Sequence, residues 1–450
     1  MNQPQVQVPS QSSKTNVKAS TALIELTPRQ STDSRGRPTV EVVLSLGDIQ
    51  TLGDVPAGAS KGEDEARTVS VEQALSNIKD VIEPLIRDAN LDLVHHENLI
   101  ALEEMLIARS GENYATLGAN AVLPVSRALW QAAAKVNGTE LYNYIRTREP
   151  ELGSESQVGF LMNIFNGGLH ALKEGEELGV DRIDIQEIMV VPYADTYAKA
   201  LEMGDEIDAA LKGILHERFG EPNVTRADEA GFSVKGLGNS TEAFGYVFDA
   251  IRLAGYEPGK NVKLALDVAA ASFYDTDKEA YRFQGQLISS DEMIAYLVGL
   301  VDRYEGTMLS VEDGLDENDW GGWPKLTAEL KQRGVETIGD DLFVTQLPRL
   351  SKGIESEAAT AILIKVNQNG SVLGTLEVMK AARRAGMKCV ISHRSGETLD
   401  DSIADLAYGT GALGLKTGDP QPVVDFPDES TWVRRRKYLR MVEIESKEVD

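Results

Sequence analysis

From residue 159 onward the chain repeats one pattern. A short apolar run meets an ionisable residue, and a connecting stretch, often of helical pattern, leads to the next run. The runs are Phe160 to Phe165, Ile183 to Glu187, Val262 to Asp267, Thr307 to Asp313, Val335 to Asp341, Ala361 to Lys365, Cys389 to His393 and Ala412 to Lys416. Helical periodicity, as over Leu373 to Ala385, fills several of the gaps. Eight strands alternating with helical crossovers predict an α/β class chain built around a parallel barrel. Strands in such a barrel are covered on both sides, which accounts for their continuous apolar character.

Seven of the eight runs carry a charge or a histidine at or near the end: Glu187, Asp267, Glu312, Asp340, Lys365, His393 and Lys416. An ionisable group at a buried strand end is costly unless it is paired or bound to a metal. In barrels the C-terminal ends of the strands form the face that carries active sites. Asp267, Glu312 and Asp340 come from three successive strands, and three converging carboxylates repel one another unless a cation sits among them. All-oxygen ligation favours a hard ion, with Mg²⁺ the usual choice beside a phosphorylated substrate. Lys365 and Lys416 end strands further along the arc. A lysine near other cations and shielded from water can have a lowered pKa and act as a base, while a second one stays charged and holds an anion. The run Ser392-His393-Arg394-Ser395-Gly396-Glu397-Thr398 adds hydroxyls and a guanidinium suited to phosphate. Glu187, after Gln186, and Glu229, in Ala227-Asp228-Glu229-Ala230-Gly231, are two further acidic candidates, each equally open to a plain surface place. A carboxyl beside others can hold its proton and donate it. Together these groups suit proton abstraction next to a carboxylate, then β-elimination of hydroxide.

The segment before the barrel reads differently. Residues Leu23 to Asp48 predict paired strands about the turn Asp33-Ser34-Arg35-Gly36-Arg37-Pro38. A small-residue loop, Pro56-Ala57-Gly58-Ala59-Ser60-Lys61-Gly62, follows. Helical spacing dominates from Glu65 to Arg146, including Leu117 to Val136 with a stop at Gly138. The expected division is a disordered tail over 1–20, an N-terminal α+β domain over 21–150 and a catalytic barrel over 151–450. The tail is polar and lacks the apolar core of a secretory signal. No stretch approaches the ~18 apolar residues of a membrane span, and Cys389, the single cysteine, rules out an intrachain disulfide. The expected location is therefore cytoplasmic. With 45 Lys and Arg against 71 Asp and Glu, the net charge of −26 argues against nucleic acid or an anionic membrane as partner.

Over nearly the whole chain after residue 20 the sequence resembles enolase, the glycolytic phosphopyruvate hydratase. The segments that carry the likeness are Asp33-Ser34-Arg35-Gly36, Gly58-Ala59-Ser60, Leu117-Gly118-Ala119-Asn120-Ala121, Asn166-Gly167-Gly168, Leu266-Asp267-Val268-Ala269-Ala270, Gly339-Asp340-Asp341-Leu342, Lys365-Val366-Asn367-Gln368, the Ser392 to Thr398 run and Lys416-Thr417-Gly418. A lysine or histidine base with Mg²⁺ is the known pattern of that superfamily. The resemblance implies an N-terminal α+β domain and a barrel whose first strands and helices are irregularly ordered. It implies dehydration of 2-phosphoglycerate to phosphoenolpyruvate in glycolysis and gluconeogenesis, with two Mg²⁺ ions and a homodimer or higher homo-oligomer. By resemblance, Asp267, Glu312 and Asp340 hold the first ion, and Ser60 holds the second. Lys365 is the base, Glu229 the acid with Glu187 beside it, and His170 and His393 are active-site histidines. Lys416 meets the substrate carboxylate, Arg394 and Ser395 the phosphate, and Gln186 lies among the substrate contacts.

The sequence departs from the family at several loops. Lys61 stands where threonine is usual, Ala227 and Ala230 stand where glycines flank the acid, and Gly314-Leu315 replaces Pro-Phe. Ala271-Ser272 replaces Ser-Glu, residues 172–182 look like an insertion after His170, and Asp419-Pro420-Gln421-Pro422 follows Lys416 in place of Arg-Ser-Glu-Arg. These departures fall on or near loops that close on substrate, where specificity changes. The alternative they raise is a paralogue acting on a related phosphorylated or phosphonate acid, similar to carboxyphosphonoenolpyruvate synthase. A non-catalytic binding homologue is the third reading, opposed by the retained carboxylates and lysines.

Overall fold

The computed structural model describes residues 23–58, 62, 64–153, 157–227, 229–421 and 432–449. The expected tail, Ser60, Lys61 and Asp228 lie outside the described residues. The chain opens with an antiparallel meander of β1 (Glu25–Thr32), β2 (Pro38–Leu46) and β3 (Ile49–Asp54). The third strand escaped the sequence expectation, because Gln50 and Thr51 interrupt its apolar character. Val40, Val42 and Leu44 of β2 are fully buried. The helix Ala119–Val136 packs across β2 and β3. Gly53 permits that approach: a Cβ there would stand 2.0 Å from the Pro124 carbonyl oxygen.

The barrel strands are β4 (Gly159–Asn166), β5 (Glu187–Pro192), β8 (Val262–Asp267), β12 (Met308–Glu312), β13 (Glu336–Gly339), β14 (Ala361–Ile364), β15 (Lys388–Ser392) and β16 (Gly414–Lys416), with β16 closing onto β4. A hairpin of β6 (Val224–Arg226) and β7 (Phe232–Val234) adds to the edge of β4, and β9 (Tyr274–Asp275), β10 (Ala280–Phe283) and β11 (Gln286–Ile288) form a separate small sheet. Side chains alternate between two layers. Leu161, Val191, Ala265, Leu363 and Val390 belong to a small inner cluster, while residues such as Phe160, Ile362 and Ile364 join the larger core that includes the helices. Among the described residues no helix is long and apolar enough to cross a membrane.

Two expectations are corrected here. The barrel is not wholly parallel, because β5 runs antiparallel to both β4 and β8. The second strand also begins at Glu187 instead of ending there. Ile183 and Ile185 are buried in the turn before it. That turn is tied by the Gly167 N–H to the Gln186 carbonyl, 2.9 Å, and by the Gly168 N–H to the Ile183 carbonyl, 2.9 Å. Both stretches are apolar, so pattern alone did not separate turn from strand. Because β5 is reversed, its first residue still reaches the face where the parallel strands end: Glu187 pairs with Asn166 on one side and Asp267 on the other.

The N-terminal domain is fastened to that face through the turn at Asp33. The Ser34 N–H donates to the Glu397 carbonyl at 2.8 Å, and Ala57 and Gly396 exchange backbone bonds of 2.8 and 2.9 Å. Arg37 donates to the carbonyls of Ala57 and Gly58 at 2.9 and 3.0 Å and pairs with Asp33. The loop that leads to Ser60 and the loop of Arg394 therefore share one anchor. Gly396 sits inside it, where a Cβ would stand 2.0 Å from Arg37 Nη2 and 2.8 Å from the Ala57 oxygen. Gly396→Ala is expected to destabilise the protein by about 1–3 kcal/mol through overpacking. Thermal and urea unfolding midpoints check this, and midpoints equal to wild type contradict it.

Candidate active site

Every strand-end residue singled out from the sequence lies on one face of the barrel, and most line a single cleft of about 460 Å³. Lys416 stands at its centre. Its Nζ is 2.9 Å from Asp267 Oδ2, 2.9 Å from Glu312 Oε1 and 3.3 Å from Glu187 Oε2. All four side chains are almost wholly withdrawn from solvent. Burial opposes the ammonium, but Asp267, Glu187 and Glu312 outweigh it and hold Lys416 firmly charged. Burial pushes the Glu312 carboxyl well up, and Asp267 adds to the effect.

Lys365 follows β14 and pairs with Asp340, whose other oxygen accepts from Gln368 Nε2 at 3.1 Å. Burial disfavours both charges, yet their mutual attraction lowers Asp340 and raises Lys365. The expectation of a lysine with a depressed pKa is therefore not met in the protein alone, because its neighbour is a carboxylate before it is a cation. Asp313 fixes the next loop by accepting from the backbone N–H groups of Asp340 and Asp341, at 2.9 and 2.8 Å.

Across the cleft, Glu187 and Glu229 lie together. Burial, then the charge of Glu229, pushes the Glu187 carboxyl well up. Burial also acts on Glu229, but His393 and His170 outweigh it and hold that carboxyl well below its ordinary value. His393 Nε2 is 3.2 Å from Glu229 Oε2, and His170 Nδ1 is 3.9 Å from Glu229 Oε1. Burial keeps the His393 imidazole neutral, so its Nε2–H is the donor that fits this contact. In the protein alone the shared proton therefore belongs on Glu187, with Glu229 the anion.

Arg394 and Ser395 are buried and line the cleft, and Gln186 Nε2 reaches Asp267 Oδ2 at 3.5 Å. Sequence reasoning missed Glu65, which grips the Arg394 guanidinium with both oxygens at 3.1 and 3.2 Å, and also missed Asn367, whose Oδ1 accepts from the same guanidinium at 3.0 Å. Glu65 is 329 positions away and carries no local signal, whereas Asn367 and Gln368 stand in the run directly after Lys365.

The carboxylates suit a hard cation. Glu312 Oε2 is buried without a hydrogen-bond partner, and the donors of the predicted trio are all oxygens. Among the described residues the most compact ligand sets are His170–Glu187–Glu229 and Asp313–Asp340–Asp341, each with ligand atoms within 4.8 Å of one another. The predicted trio Asp267, Glu312 and Asp340 is more spread, because Lys416 spans the first two and Lys365 draws away the third. The ammonium groups take the places of counter-ions. Lys61, one of the departures behind the alternative substrate, lies outside the described residues.

Comparison with family models agrees with this architecture. The model described as "Enolase, N-terminal domain" matches residues 23–145. The model described as "Enolase, C-terminal TIM barrel domain" matches residues 158–425, which takes in all eight barrel strands and the residues that end them. The two matches span most of the sequence in the order that the fold requires, and the chain belongs to the enolase family.

Proposed function

We propose that this chain is a hydro-lyase that reversibly dehydrates 2-phosphoglycerate to phosphoenolpyruvate with Mg²⁺. One observation carries the reading. In the closed order of eight strands, β14 and β5 are four places apart and so face each other across the barrel. Lys365, just after β14, thus stands opposite Glu187 and its neighbour Glu229. A three-carbon acid lying across the barrel end would offer its carbon-2 proton to one side and its carbon-3 hydroxyl to the other. That arrangement suits anti elimination: Lys365 Nζ takes the proton, the C–H electron pair becomes the second carbon–carbon bond, and hydroxide leaves with a proton from the Glu187–Glu229 pair.

Lys416 would meet the substrate carboxylate, and Arg394 with Ser395 the phosphate once Arg394 exchanges Glu65 for substrate oxygens. Asp267, Glu312 and Asp340 would hold one Mg²⁺, with Ser60 serving the second. The ions would supply positive charge against the developing negative charge on the carboxylate, and would compete with Lys365 for Asp340. The burial of these groups makes each electrostatic contact stronger than it would be in water.

Purified protein given 2-phosphoglycerate and Mg²⁺ is expected to develop the ultraviolet absorbance of the enol phosphate, and a chelator to stop it. Folded, Mg²⁺-supplied protein with no such growth overturns the reading. Lys365→Ala is expected to abolish exchange of the carbon-2 proton with solvent and to lower turnover by about 10²–10⁴. Retained exchange would mean that another group is the base.

A further expectation needs no turnover. Lys416→Met leaves three buried carboxyl groups facing one another without their cation, a loss of about 3–5 kcal/mol by analogy with broken buried ion pairs. Its thermal midpoint in chelator should fall well below wild type. Added Mg²⁺ should raise it by more than it raises wild type, because a bound ion replaces the missing charge. Equal Mg²⁺ shifts in the two proteins would show that the cation does not bind among these carboxylates.

A further inference from the structure

The loop carrying Glu229 is held by a buried ion cluster that the reaction itself does not use. Arg226 lies on β6, just before the loop. Its guanidinium takes Asp208 with both nitrogens at 2.7 Å, donates from Nη1 to Asp419 Oδ2 at 2.9 Å, and packs 3.7 Å over the Phe232 ring. The same Nη1 donates to the Ala230 carbonyl at 2.7 Å. From the other side, the Asp419 N–H donates to the Glu229 carbonyl at 3.0 Å. Asp419 has no exposed surface, and its Oδ1 accepts from the Gln421 N–H at 2.7 Å.

The grip answers a local strain. Ala230 has φ +70°, in the left-handed region that favours glycine and penalises a Cβ. A non-glycine residue stays there when its surroundings over-determine it. Here both flanking carbonyls, of Glu229 and Ala230, are bonded to the cluster. Asp419 follows Lys416 by three residues, so one turn joins the strand end that carries the central ammonium to the loop that carries Glu229.

We propose that Asp419 and Arg226 are positioning residues: they pin Ala230 in its left-handed conformation and so hold Glu229 against Glu187, keeping the proton-donating pair aimed at the leaving hydroxyl. This rests on the dehydration reading above. Misplacing that pair by about 1 Å can slow its step by about 10²-fold, while the base on the opposite side keeps its geometry. Asp419→Ala should therefore cut 2-phosphoglycerate turnover by about 10- to 100-fold and leave carbon-2 proton exchange within about twofold. Adding Ala230→Gly to Asp419→Ala should recover part of the turnover, since glycine takes the loop conformation without the clamp. Arg226→Lys, whose single nitrogen cannot hold both Asp208 oxygens and still serve Asp419 and the Ala230 carbonyl, should show the same split, and it carries the test if Asp419→Ala does not fold. Independently of activity, amide hydrogen exchange over 227–231 should speed up in the variants without substrate. Unchanged turnover and unchanged amide protection, or exchange and turnover falling together with no recovery by glycine, overturn the clamp. Wild-type protein that neither exchanges nor dehydrates 2-phosphoglycerate would instead sink the functional reading, and the amide measurement would still decide the clamp.

Discussion

The Lys416 ammonium, buried between Asp267, Glu312 and Glu187, is the interaction on which the catalytic face depends. Three strand ends converge there with acidic side chains and almost no water. Without a cation the carboxyl groups would have to protonate or the strands splay, since isolated buried charge is far more costly than a paired one. Lys416 resolves this in the protein alone, and Lys365 does the same for Asp340. The barrel is thus preorganised around positive charge, so a site can be kept ready without substrate. The same pairing means that a hard cation bound among these carboxylates would compete with both ammonium groups for them.

The two sides of the face are built by different means. The Lys365 side is regular: β13, β14, β15 and β16 are parallel, and each delivers one residue at its end. The Glu187 side departs from regularity. Glu187 reaches the face only because β5 is reversed, and Glu229 comes from a loop beside an edge hairpin. Two carboxyl groups brought together in a dry place cannot both ionise easily, and the histidines decide which one does. Regular elements therefore position the paired ammonium and carboxylate groups, while the irregular ones create the carboxyl pair that shares a proton.

This division explains what the sequence disclosed. A charge ending an apolar run is visible because buried strands otherwise exclude charge, so Asp267, Glu312, Lys365 and Lys416 stood out from the residues alone. The direction of β5 leaves no trace in an apolar pattern, which reads the same both ways, so the strand was placed one segment early. Strand β3 was hidden by its polar positions. The ion pairs were beyond reach for another reason. Lys416 and Asp267 are 149 residues apart, and Arg394 and Glu65 are 329 apart, and only closure of the barrel and docking of the N-terminal domain bring them together. Expecting a free lysine base thus missed the counter-ion that the fold supplies.

Net charge and local charge also part company at this face. A chain at −26 repels anions at long range. Screening confines that repulsion to about a Debye length, ~8 Å at physiological ionic strength. Inside the cleft the nearest charges decide, and these include Lys365, Lys416 and Arg394, each already held by a carboxylate. Those partners make the cations available in place: the side chains need no ordering when an anion arrives, only an exchange of one acidic partner for another. An acidic protein can therefore still present positive charge in its cleft, because its own carboxylates hold Lys365, Arg394 and Lys416 in position there.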